Sequence, residues 1–96
     1  MDYKILDEAK EELREAMIFY NEERPGLGLE LLDRFEETVE FICDFPLAAT
    51  KTIRNTRKSS LKQFPFSIVY KVNDDLLTVI SVAHQKRRPG YWKNRL

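Results

Sequence analysis

The sequence predicts an α+β domain, with an N-terminal helical hairpin packed on a small, mostly antiparallel β-sheet. Three observations lead there. Two stretches of the first half repeat apolar residues at helical spacing, with a short Pro/Gly break between them. Two β-rich runs of the second half are joined by an Asn-Asp-Asp turn. A short apolar segment precedes the helices, so the order is strand, two helices, then strands, as in an α+β domain. At 96 residues the chain suits one domain over 1–96 with a modest core.

The elements follow in order. Tyr3-Lys4-Ile5-Leu6 reads as an edge strand. Asp7 is placed to cap the first helix, with Glu8 in its first turn. Ala9, Leu13, Ala16, Met17 and Tyr20 then form one stripe, with charged residues opposite, to about Glu23. Arg24-Pro25-Gly26-Leu27-Gly28 breaks the helix, because proline lacks an N–H and glycine turns freely. A second helix carries Leu31, Leu32, Phe35, Val39 and Ile42 on one stripe and stops near Phe45-Pro46, where the proline disfavours helix in the residue before it. The short link makes the two helices an antiparallel hairpin.

Beyond Pro46 the periodicity changes. Lys51–Thr56 and Arg57–Gln63 are polar and give weak strand signals. Phe66–Val72 and Leu76–Ala83 are strong ones, paired around Asn73-Asp74-Asp75 at the centre of the sheet. The remaining tail, from His84 to Leu96, sets Lys86, Arg87, Arg88, Lys93 and Arg95 around Tyr91 and Trp92.

The formal net charge is zero, yet charge is sharply segregated. Met1–Ala48 holds 14 acidic and 5 basic residues, net −9, and Ala49–Leu96 holds 2 acidic and 11 basic, net +9. The second half is therefore suited to an anionic surface, whether nucleic acid, a phosphate-bearing complex or an acidic protein. The alternative is mutual neutralisation of the halves within one small fold. A pI near 6.6 sits poorly with a dedicated RNA-binding protein, which is usually basic overall.

Several function classes are excluded by pattern. No apolar run reaches the roughly 18–20 residues of a membrane span. The charged N-terminus lacks an apolar leader, and the single cysteine, Cys43, forms no internal disulfide, so a cytoplasmic protein without membrane attachment is expected. No His/Cys cluster has metal-ligand spacing, and no metal or cofactor is expected. Gly26 and Gly28 lack the downstream residues of a phosphate-binding loop.

Read together and in order, several of these features resemble the RelE/ParE toxin superfamily over nearly the whole chain. They are Ala9 and Leu13 in the first helix, the Arg24–Gly28 link, Phe45-Pro46, Phe64-Pro65-Phe66 leading into Ile68-Val69-Tyr70-Lys71-Val72, and the closing His84, Arg87, Pro89 and Tyr91-Trp92. The resemblance implies the toxin of a type II toxin–antitoxin system, held in complex by a cognate antitoxin. RelE-like members cleave messenger RNA in the ribosome, whereas ParE-like members poison DNA gyrase. The Arg-Pro-Gly-Leu-Gly link and the Tyr-Trp ending are closer to the ParE-like branch.

Cleavage of RNA without a metal needs a base, an acid and cations around the phosphate. Histidine is the usual proton-transfer residue of such sites and His84 is the one histidine, and the resemblance aligns Tyr91 with the C-terminal tyrosine of nuclease members. These two are the candidate catalytic pair if the chain is a nuclease. Arg57, Lys58, Lys62, Lys86, Arg87, Arg88 and Trp92 are the candidate target- or phosphate-binding residues, and the strand pattern allows Lys62 to approach His84. Two departures weigh against a nuclease. Where nuclease members carry arginines, this chain has Ser67 and Gln85, and losing such cations removes electrostatic catalysis. The sequence thus favours a protein-binding gyrase inhibitor, with a ribosome-dependent nuclease or a non-toxic binding module as the alternatives. Each candidate also has a structural reading: His84 as a hydrogen-bonded strand end, Tyr91 and Trp92 as a cap on the core, and the basic residues as a solvated strand face.

Overall fold

A computed structural model describes all 96 residues. Strand β1 (Asp2–Ile5) leads into helices α1 (Asp7–Glu23) and α2 (Leu27–Asp44), followed by β2 (Thr50–Lys51), β3 (Arg57–Ser60), β4 (Phe66–Asn73) and β5 (Leu76–His84). The five strands lie in the order β1-β5-β4-β3-β2. Only β1 and β5 are parallel, and the other pairs are antiparallel. This is the predicted α+β hairpin-on-sheet architecture.

The strongest sequence signals became the best-paired strands. β4 and β5 pair from Phe66↔His84 to Asn73↔Leu76, with Asp74 in the left-handed region at φ 52°. The weak polar runs became two short strands, β3 beside β4 and the two-residue β2 at the sheet edge, with a 3-10 turn at Ile53–Asn55 between them. Two local expectations change. Asp7 does not cap α1: the cap position is Leu6, which has no side-chain acceptor, and Asp7 is the first helical residue. There its charge complements the helix dipole. Leu27 and Gly28 belong to α2 rather than to the link, which shortens to Arg24–Gly26, with Gly26 at φ +91°.

Both helices cover one face of the sheet. Leu13, Leu31, Phe35, Val39 and Ile42 meet Ile68, Tyr70, Leu77, Val79 and Val82 in one core. Ala9 and Ala16 are buried on α1, and their small side chains bring that helix close to β5. Gly28 does the same between the helices. A Cβ there would stand 2.5 Å from the Met17 carbonyl oxygen, and the Gly28 N–H donates to Asn21 Oδ1 at 2.8 Å. The opposite face carries a smaller cluster of Val69, Ile80 and Trp92, covered by the C-terminal tail. Ile80 has no partner in the β4–β5 ladder, where Val69 pairs with Ser81 and Tyr70 with Val79. This bulge turns the far end of β5.

Candidate functional site

β1 stops at Ile5, opposite Val79, so β5 runs on past its neighbour. The edge of Ile80–His84 would leave backbone groups unpaired, which is costly when they are buried. Two side chains close that edge. The Val82 N–H donates to Glu12 Oε1 at 3.0 Å, and the Ile80 carbonyl accepts from Arg95 Nη1 at 3.1 Å. Glu12 and Arg95 are also paired through both oxygens, at 2.8 and 3.1 Å. Together they replace a peptide unit of a missing strand.

Glu12 also accepts from the Tyr91 hydroxyl, four hydrogen bonds with those of Val82 and Arg95, and Ser81 Oγ lies within donating reach at 3.1 Å. Ser81 Oγ also lies 2.8 Å from the Tyr91 hydroxyl, and its single proton serves one of the two. Burial alone pushes the Glu12 carboxyl up. The bonds from Arg95, Tyr91 and Val82, with the Arg95 charge, outweigh this and hold it below the ordinary carboxylate value. Burial, and then the bond to Glu12, push the Tyr91 phenol above its ordinary value. Tyr91 therefore retains its proton, and that proton is committed to Glu12.

The tail held by this hub forms one wall of a basic groove of about 140 Å³. Lys58, Arg87 and Arg88 supply its cations, and Ser67, His84 and Gln85 lie between them. Ser67 and Gln85 are thus part of one groove. Arg87 is positioned by Tyr91, its guanidinium 3.9 Å from the ring centroid, a cation–π contact. His84 accepts the Lys86 N–H at Nδ1 (3.0 Å), and its ring meets Phe66 edge-on at 5.0 Å. His84, Arg87 and Tyr91 also line a second, mostly apolar cavity of about 330 Å³, whose other walls include Phe19, Tyr20, Phe66 and Glu15.

The remaining candidates lie elsewhere. Arg57 donates to the Leu47 and Ala49 carbonyls at 3.0 and 2.8 Å and fastens the segment after α2. Lys62 lines a separate cavity beside α2 with Phe41 and Ser60, so Lys58 rather than Lys62 shares a groove with His84. Lys86 is exposed in the turn after β5. Trp92 is 4% exposed and packs under Val69 and Ile80. No group of three His, Cys, Asp or Glu side chains is placed to hold a metal, and no helix is long and apolar enough to cross a membrane.

Glu12 and Arg95 were not singled out by sequence reasoning, although a signal was present. Glu12 stands three residues after Ala9 and four before Ala16, on the buried stripe itself. A carboxylate there requires an interior partner.

A two-helix hairpin on a five-stranded sheet, with a basic groove under its tail, defines a small α+β domain. The family model described as "ParE toxin of type II toxin-antitoxin system, parDE" matches residues 3–89, and the chain belongs to that family. Among solved structures it is similar to a chain of the "Chromosomal ParDE TA system from P. aeruginosa", with a TM-score of 0.75 and 17% identity, covering 88% of this chain and 95% of that one. At that identity the likeness speaks for the fold. No curated protein matches the sequence.

Proposed function

We propose that this ParE-family toxin arrests growth by docking its basic groove and tail on DNA gyrase, and that a cognate antitoxin neutralises it by covering the same surface with an acidic segment. The carrying observation is the state of Tyr91. A general acid must be free to deliver its proton, whereas the Tyr91 hydroxyl is bound by Glu12. Ser67 and Gln85 supply no cation where nuclease relatives have arginines, and His84 Nδ1 is already engaged. Lys58, Arg87 and Arg88 instead form an exposed cationic rim, suited to steering and registering an acidic partner. Trp92 acts from beneath as a support for the tail.

The test is a supercoiling assay with purified gyrase, relaxed plasmid and this chain. Loss of supercoiling or trapped cleavage is expected, and it should weaken in R87E/R88E while persisting in H84A. Unimpaired gyrase at saturating toxin, together with cleavage of ribosome-bound messenger RNA that H84A abolishes, would establish the nuclease reading instead. Antitoxin affinity, titrated separately, should also fall in R87E/R88E.

A further inference from the structure

The charge segregation seen in the sequence survives folding. Of four ion pairs, three lie within the helical hairpin or its link, and only Arg95–Glu12 joins the acidic half to the basic half. The halves therefore do not neutralise each other by contact. Arg57 and Lys62 lie on the helix-covered side, but the cations of the groove are set apart from α2. Lys58 pairs with Val69, whose side chain belongs to the cluster on the face away from the helices, and Arg87 and Arg88 line the groove above it.

The outer surface of α2 carries an acidic stripe on the other face. Asp33, Glu36, Glu37, Glu40 and Asp44 are all exposed, and only Glu37 has a cationic partner, Arg34. Their spacing puts them on one side of the helix for about 16 Å. Two features make this arrangement unfavourable for an isolated molecule. Like charges four residues apart, as in Asp33/Glu37, Glu36/Glu40 and Glu40/Asp44, repel. The last turn of α2 contains no basic residue, so Asp44 meets the negative end of the helix dipole uncompensated. A cationic cover relieves both.

From this juxtaposition we propose that free copies of the chain associate head to tail, the α2 acidic stripe of one copy seating on the Lys58/Arg87/Arg88 groove of the next. The occupant is a second copy because one chain carries both complementary surfaces, and α2 and Lys58 lie on different faces of the sheet, so a copy can offer one while receiving on the other. Such a heterologous contact leaves one free stripe and one free groove at the ends, so growth is open-ended. The contact occupies the groove that target and antitoxin need under the proposed function, but it does not depend on that reading.

Sedimentation velocity of the purified full chain tests it. The screening length is about 30 Å at ~10 mM salt and about 3 Å at ~1 M. Average mass is expected to rise with concentration at low salt and return to the 11.4 kDa monomer at high salt. E36K/E40K and R87E/R88E should each remain monomeric at low salt, with circular dichroism reporting their folding, and a 1:1 mixture of the two should associate again. A monomer at low salt across the concentration range overturns the proposal. So does association that persists at ~1 M salt, which would assign the contact to an apolar surface such as Phe41 and Phe45. Low-salt association that both variants retain also overturns it, by placing the contact elsewhere.

Discussion

Glu12 of α1 and Arg95 near the C-terminus are joined through both carboxylate oxygens, at 2.8 and 3.1 Å, across 83 residues of sequence. Each side chain is 16% exposed. The pair closes the β5 edge where β1 ends, and through Tyr91 it sets the position of Arg87 in the groove. Fold and candidate site therefore share one electrostatic centre.

Removing Glu12 strands several donors at once. Glu12→Ala leaves Arg95, the Val82 N–H and Tyr91 without their acceptor, and breaking a buried pair from one side costs about 3–5 kcal/mol. Urea denaturation should show a loss of about 3 kcal/mol, with Glu12→Gln intermediate because it keeps the volume and one acceptor. A change within about 0.5 kcal/mol, the range of ordinary surface substitutions, would show that the edge is closed by other means.

The same carboxylate predicts a pH dependence. Its folded pKa is lowered, so its contribution is fully present above the unfolded glutamate value of about 4.3 and is lost as pH falls through the folded value. The stability gap between the wild-type chain and Glu12→Gln should be constant near neutrality and close as the pH drops below about 4.3. Tyr91 works in the opposite sense. Its folded pKa is raised, so its contribution holds below about pH 10 and is lost as pH rises through the folded value. A gap unchanged down to pH 3 would contradict the assignment for Glu12.

Gly28 is a packing requirement. A Cβ there would meet the Met17 carbonyl oxygen at 2.5 Å and Asn21 Oδ1 at 2.8 Å, and the backbone oxygen cannot move without separating the helices. Gly28→Ala should cost about 1–3 kcal/mol and lower the melting temperature. Gly26→Ala tests a different cause, since no atom crowds its Cβ and only its φ of +91° resists a side chain. An unchanged melting temperature in Gly28→Ala would mean that the hairpin opens more easily than its packing implies.

The groove cations should matter more to toxicity than the histidine. R87E/R88E is expected to raise the dose for half-maximal growth arrest by about 10-fold or more, some 1.4 kcal/mol of target affinity. His84→Ala should leave it nearly unchanged. Growth assays on matched expression levels check this, and the reverse order would favour a nuclease.

How much of this was legible in sequence follows from what each signal depends on. Helices and central strands were readable because Leu31, Phe35, Val39 and Ile42, or Ile68 and Tyr70, repeat with the period of their own element. Asp7 was misplaced because cap geometry is set by the backbone turn out of β1, which composition does not encode. The groove was readable only as a set of basic residues. Arg57 and Lys58 are adjacent in sequence, yet one fastens a loop through carbonyls while the other lines the groove, a difference decided by strand register. Glu12 lay hidden in a run of charged residues, and its role came from Ser81, Tyr91 and Arg95, all distant in sequence.

The most direct test of the central claim is pulse-labelling of DNA and protein synthesis in bacteria just after this chain is induced without its antitoxin. The gyrase account predicts that DNA synthesis falls first, that R87E/R88E delays the fall, and that His84→Ala does not. An initial collapse of protein synthesis with DNA synthesis still running would contradict it.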